Sequence, residues 1–313
     1  MQIAYIVNPI AGSGRAQRVW AKLAARHPHV AEHAHFTRGP GHGEEIAAQL
    51  AEEGCEAVVA VGGDGTLHEV LNGVLRATSK PCVGVIPAGT GNDFARSVSL
   101  PRDPEKALEV CQRGQAEPID VGLVNGRAYI NVAGFGFDAA VAEEVASRSN
   151  KGATGPIPYL MAVFHQLVTF RPRQLSIHMD DQVIEAPVLF GAVGNGSTYG
   201  GGMKICPRAR VDDGLLDLCV AGDFGPFETL VNLLKVFRGS HVTHPKCQYF
   251  RAQRVVVDGD PSVRVHADGQ LLGGLPVTFE ILPQAVRFLM GPAFQRSQEE
   301  TRKESERDFR LHA

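Results

Sequence analysis

The chain has no CxxC pair, no Cys/His spacing suited to a zinc site and no long apolar run. Its six cysteines, Cys55, Cys82, Cys111, Cys206, Cys219 and Cys247, stand singly within or beside apolar stretches. That placement argues against a disulfide framework and fits small buried hydrophobes in a reducing, cytoplasmic setting. The opening "MQIAYIVNPIAGSG" has no charged leader and breaks at Pro9, so no signal peptide is expected. The longest apolar patch, "YLMAVFHQLVTF", contains His165 and Gln166 and is too short to be a transmembrane segment. Any membrane contact is then peripheral. A basic excess is missing too, since the formal charge of -3 argues against a nucleic-acid partner. What remains is ordinary globular composition, 44% hydrophobic and 21% charged over 313 residues, long enough for two domains.

The first part alternates strand and helix signals. "IAYIV", "AEHAHFT", "EAVVAV" and "CVGVIP" read as strands, and "RAQRVWAKLAARH" and "GEEIAAQLAEEG" as helices between them. After "EAVVAV", Leu67, Val70, Leu71, Val74 and Leu75 fall on one helical face. Such a series predicts an α/β domain, residues 1–124, with a parallel sheet and flanking helices. From "YINVAGFG" onward strand signals predominate, among them "RQLSIHM", "QVIEAPVLFGAVGN", "LLDLCVAG", "RVVVDG", "SVRVHADG" and "PVTFEIL". They predict a mostly antiparallel β-sandwich domain over 125–290, with inserted helices at "GPIPYLMAVFHQLVTF" and "GPFETLVNLLKVFRGSH", and a cleft between the domains. The charged tail, 291–313, has little apolar content and is assigned no function.

Three glycine turns, "NPIAGSG", "GGDGT" and "AGTGND", each follow a predicted strand, so all fall at the carboxyl edge of one sheet. Turns of this kind bring backbone N–H groups and a helix N-terminus close to phosphate. Two of them also offer an acid, Asp64 and Asp93, and Mg²⁺ prefers carboxylate, water and phosphate oxygens. The pattern predicts a phosphate-rich ligand with a divalent cation. It is not a P-loop, because "GxxxxGK[ST]" is absent, and Gly12 and Gly14 lack the third glycine of a dinucleotide fingerprint.

In this order and spacing, "NPIAGSG", "GGDGTLHEVLNG" and "PAGTGNDFAR" resemble the diacylglycerol kinase catalytic-domain family of bacterial soluble lipid kinases, related to sphingosine and ceramide kinases. "IDVG", "NVAGFGFDA", "VGNGSTYGGGMKICPRARVDDGLLDL" and "VHADGQ" extend the likeness to about residue 290. "GGDGT" alone is shared with NAD kinases and phosphofructokinases, whereas "GTGNDFAR" and "DDGLLDL" narrow the choice. The resemblance implies an ATP- and Mg²⁺-dependent lipid kinase of phospholipid metabolism, acting on a lipid at the membrane surface. The sequence leaves a homodimer open.

By the same resemblance, Asn8, Pro9, Ile10, Ala11 and Gly12 line the ATP phosphates, and Thr37 flanks the nucleotide. Gly63, Asp64, Gly65, Thr66, Leu67, His68 and Glu69 wrap the phosphates, with Thr90 touching them from the turn after the fourth strand. Asp64, Asp93 and Asp120 are the candidates to hold Mg²⁺–ATP. A second, structural metal is implied at Asp213 and the carbonyls of Arg210 and Leu215. The family usually has Asp-Gly-Glu where this chain has Asp268, Gly269 and Gln270. A glutamine amide takes no proton at neutral pH, which leaves Asp268 as the expected base. The alternatives are a NAD kinase-like enzyme and a non-catalytic nucleotide- or lipid-binding protein. For the acceptor, "IPYLMAVFHQLVTF" and "FETLVNLLKVF" supply apolar faces, and the stretch from Lys235 to Lys246 is modestly basic.

Overall fold

The computed structural model describes residues 2–294, apart from 114, 138, 142, 145–164, 167, 168 and 292. Most of the expected helix at 155–170, and the tail beyond 294, lie outside the described residues.

Short apolar runs form β1 (Ile3–Val7), β2 (Ala34–Phe36), β3 (Ala57–Gly62) and β4 (Cys82–Pro87). They pair in the order β2-β1-β3-β4, all parallel. β3 is buried at every position, which is why it reads as a continuous apolar run rather than an alternating one. The period of two still sorts its side chains. Val58 and Ala60 pack with α3 (His42–Glu52) and α4 (Asp64–Arg76), while Val59 and Val61 pack with α1 (Ala11–Arg26) and α6 (Pro104–Arg113). In α4 the expected stripe is fully buried at Leu67, Val70, Leu71 and Val74, and Leu75 packs half-buried against the same core. Two short helices, α2 (Pro28–Ala31) and α5 (Asp93–Ser97), complete this half.

The second half contains a six-stranded antiparallel sheet. Its order is β12 (Cys247–Ala252), β11 (Leu216–Ala221), β10 (Phe190–Gly194), β7 (Val132–Gly136), β14 (Arg264–Ala267) and β15 (Gln270–Gly274). It packs against β8 (Arg173–Met179), β13 (Arg254–Gly259) and β16 (Val277–Leu289) through a shared core that includes Phe135, Leu218, Ile177, Val257 and Phe279. This is the expected sandwich.

Its second layer departs from expectation. β16 pairs with β13 and with β5 (Ala116–Val124), and then Phe288 pairs in parallel with Val83 of β4. The parallel sheet and this layer are therefore one ten-stranded sheet, completed by β6 (Arg127–Tyr129) and β9 (Gln182–Val188). The sequence signal ends at Leu282 because the register shifts between Leu282 and Val286, where Gln284 adopts a positive φ of 51°. A bulge there breaks the alternation that marks a strand. In the same way, "QVIEAPVLFGAVGN" is not one strand. β9 ends at Val188 in the large sheet, and β10 starts at Phe190 in the small one.

Candidate functional site

The three glycine turns meet. Gly12, Ser13 and Gly14 all have left-handed backbone, so α1 is regular only from Arg15. A Cβ on Gly12 would stand 2.7 Å from the Ala88 carbonyl oxygen, and one on Gly89 only 2.3 Å from the Gly63 Cα. Side chains there would force the turns apart. Hydrogen bonds fasten them further. Asn8 Nδ2 donates to Thr66 Oγ1 at 3.2 Å, and the Phe94 N–H donates to Asp64 Oδ1 at 3.0 Å.

They form one end of a cleft of about 990 Å³. Asn8, Pro9, Ile10, Ala11 and Gly12 line it from the first turn, and Thr37 from the end of β2. Gly63, Asp64, Gly65, Thr66 and Glu69 line it from the turn after β3, with Thr90 and Asp93 from the turn after β4. Leu67 and His68 do not. Helical geometry turns Leu67 into the core, and His68, wholly buried, reaches Asp268 instead. Ser13 is also absent from the wall.

Each acid in the cleft has a distinct situation. Glu69 accepts the N–H groups of Gly41 and Gly43, both at 2.9 Å, and so fastens the turn before α3. Asp93 binds Arg96 Nη1 at 2.8 Å and accepts the Gly201 N–H at 2.8 Å, tying the turn after β4 to the second half. Asp64 Oδ2 and Asp93 Oδ2 each lie 3.0 Å from the Cβ that Gly91 lacks, so the two carboxylates converge over that glycine. Burial raises the Asp64 pKa above the usual carboxylate range, and the charges of Asp93 and Asp268 add to the rise.

Asp268 differs from expectation. Its Oδ1 accepts from the N–H of Asn131 (3.0 Å) and Val132 (3.3 Å), and its Oδ2 from Ile130 N–H (2.9 Å) and His68 Nδ1 (3.1 Å). The side chain is 0% exposed, so Asp268 reaches the cleft through its backbone alone. Its carboxylate is taken up by these four protein donors. Gln270 does line the cleft.

Asp120 stands elsewhere. Its carboxylate accepts the N–H of Gly214 (2.7 Å) and of Gln284 (2.8 Å), which puts it beside the 210–215 turn rather than on the cleft wall. In that turn Asp213 Oδ1 accepts the Leu215 N–H at 3.2 Å, and its other oxygen is held by Arg251. Arg210 pairs with Asp212 at 3.0 Å. Among the described residues no group of three or more His, Cys, Asp or Glu side chains is arranged to hold a metal.

The far end of the cleft is apolar. Phe137, Val141, Phe190, Ile205 and Phe224 line it, together with Leu233 and Val236 of α7 (Pro226–Val236). One cavity thus joins a wall of glycine turns and acids to a mostly apolar wall.

Residues 2–124 match the diacylglycerol kinase catalytic domain, and residues 131–290 match the YegS C-terminal NAD kinase beta sandwich-like domain. A diacylglycerol kinase of Staphylococcus saprophyticus is 33% identical over 258 residues, covering 81% of this chain and 83% of that one. The chain belongs to the diacylglycerol kinase family. It is accordingly a lipid kinase, a phosphotransferase with an alcohol group as acceptor. A diacylglycerol kinase of Bacillus subtilis is 32% identical over 257 residues, 82% of this chain and 84% of that one. Among solved structures, a putative diacylglycerol kinase from Bacillus anthracis superimposes with a TM-score of 0.76 at 23% identity, over 94% of this chain and 98% of that one. A yeast NADH kinase complexed with NADH has the same general fold, with a TM-score of 0.53 at 13% identity over 96% and 87% of the two chains.

Sequence reasoning missed several cleft residues. Arg38, exposed and directly after Thr37, is a cation on the wall of the phosphate end. Its signal was available, a basic residue next to a predicted strand end. Asn131 and Asn232 carried no such signal, since each reaches the cleft only through tertiary packing.

Proposed function

We propose that this family member transfers the γ-phosphoryl group of ATP to the free hydroxyl of a diacylglycerol-like lipid. The observation that carries the reading is the single cleft with one end of glycine turns and acids and one mostly apolar end. A nucleotide fits the first and acyl chains the second, so the hydroxyl would lie between them.

The residues present suit Mg²⁺–ATP. The close-packed glycines leave backbone amides facing the cleft, and the N-terminus of α4 adds its dipole. Asp64 and Asp93 converge over Gly91, and Asp93 would hold Mg²⁺ there directly or through water. Bound there, the cation would neutralise charge on the phosphates. Asn8 Oδ1 is buried without a partner at this end, an acceptor that a ligand can use. We assign the hydroxyl proton to Asp64, whose carboxylate is left free of the metal when Asp93 holds it. Asp268 is then a positioning residue. Through Ile130, Asn131 and Val132 it fixes the start of β7, and through His68 it ties that strand to α4. Phosphoryl transfer depends mainly on positioning and charge stabilisation, so one carboxylate acting on the proton suffices.

A cation at the 210–215 turn would use Asp213 with the carbonyls of Arg210 and Leu215. Arg251 holds that carboxylate, so guanidinium and metal would compete for it.

The test is transfer of radiolabelled phosphate from ATP to diacylglycerol, phosphatidylglycerol, ceramide and sphingoid bases in detergent micelles, with and without Mg²⁺. Mg²⁺-dependent label on diacylglycerol is expected. Label on none of the lipids would end the reading. Label on NAD instead would favour the NAD kinase-like alternative, against which the hydrocarbon end of the cleft argues.

A further inference from the structure

α7 is built inside out. Its exposed side carries Phe227 (77% exposed), Leu230 (43%), Val231 (38%), Leu234 (69%) and, one residue past its end, Phe237 (51%). The spacing i, i+3, i+4, i+7, i+10 places all five on one arc about 120° wide. The opposite side, which lines the cleft, includes the polar Thr229 and Asn232 beside Leu233 and Val236. Asn232 Oδ1 is buried there with no partner. A helix of a water-soluble surface arranges these classes the other way round. Lys235, exposed, stands at one border of the apolar arc, and Arg238, also exposed, follows Phe237 past the helix end.

We infer that the outer face of α7 docks into an anionic lipid bilayer. Contiguous exposed apolar residues mark an interaction surface. An apolar helical face with cations at its edge lies in the headgroup–acyl boundary of a membrane, the apolar side chains in hydrocarbon and the cations among phosphates. The position fits this partner in particular. Among the described residues α7 has the cleft on one side and its exposed apolar face on the other, so a bilayer on that face stands beside the apolar end of the cleft. A lipid would then move from bilayer to cleft along the helix without crossing water. The inference rests on the lipid-kinase reading for its purpose, but not for its measurement.

The test is flotation of the full chain, without nucleotide, with vesicles of phosphatidylcholine and phosphatidylglycerol in equal amounts. The Phe227→Ser/Leu234→Ser variant is expected to bind at least about tenfold more weakly, while its turnover on micellar diacylglycerol stays within about twofold and its thermal midpoint stays at or above that of the native chain. Lys235→Glu/Arg238→Glu is expected to lose about tenfold on these vesicles and little on pure phosphatidylcholine. Equal vesicle binding by the native chain and the serine variant would overturn the inference. So would a native dimer in solution that the serine variant converts to monomer, because a second copy would then cover this face. If α7-dependent flotation is found but no lipid is phosphorylated in micelles, the docking surface stands and the kinase assignment fails.

Discussion

The two ends of the cleft are made in opposite ways. The glycine end consists of three turns, each contiguous in sequence and held by backbone contacts such as that of Gly89 with Gly63. The apolar end draws Phe137, Phe190, Ile205, Phe224 and Leu233 from separate elements and is held by side-chain packing. The first should be intolerant of small chemical changes and indifferent to bulk. The second should tolerate chemistry and register volume.

The sharpest test of the contrast is at Asp64. Asp64→Asn is expected to lower kcat/KM about 10³–10⁴-fold for every acceptor, whatever its chain length. In the native enzyme kcat/KM rises with pH as the Asp64 proton leaves. Because its pKa is raised, that limb lies above the ordinary aspartate value of about 3.9. Steady-state rates between pH 4 and 8 would show the limb in the native chain and its absence in the variant. A chain-length-dependent loss in Asp64→Asn would blur the division between the two ends.

At the apolar end His241 offers a stability test. It is buried, with Nε2 3.0 Å from the Ile205 carbonyl oxygen and 3.6 Å from Cys219 Sγ, and burial lowers its pKa from 6.5 to about 4. The folded state therefore holds the ring neutral while the unfolded chain still takes up a proton. The contribution is complete above about pH 6.5 and falls away as pH drops towards about 4, by up to about 3 kcal/mol in total. Urea melts at several pH values should show a steeper acid loss for the native chain than for His241→Gln. Parallel pH profiles would mean that water reaches the ring.

Volume is the third probe. Leu233→Trp adds bulk on the cleft side of α7, and KM for long-chain diacylglycerol is expected to rise about tenfold, the equivalent of about 1.4 kcal/mol. KM for ATP should hardly change. Equal effects on both would show that the cleft responds as one unit.

The same contrast explains what the sequence revealed. The parallel strands and their turns were legible because each is a local pattern, an apolar run ended by glycine. Asp64 and Asp93 could be placed from those turns alone, and Thr90 through the family resemblance. Asp120 could not, because its destination depends on Val211, Gly214 and Gln284, all distant in sequence. His68 and Asp268 meet across 200 positions, a pairing that no local spacing encodes. β16 was read only in part, since a bulge hides its continuation into the parallel sheet. Nor did any local signal show which side of α7 faces out, for an apolar helical stripe normally packs inward.

Gln270 is where the smallest effect carries the most information. It lies on the cleft wall at the position where the family usually has a glutamate. Had the chain lost its base there, Gln270→Glu would restore about 10²–10⁴-fold in rate. With Asp64 as the proton acceptor, the change adds a charge to a cleft whose carboxylates already repel one another. It should then alter kcat by less than about tenfold, and by raising the Asp64 pKa further it should move the pH limb upward. The direction of that shift separates the two cases. An upward limb with nearly unchanged rate keeps the proton on Asp64. A large gain with the limb unmoved assigns it to position 270, and makes the native chain an enzyme working without its general base.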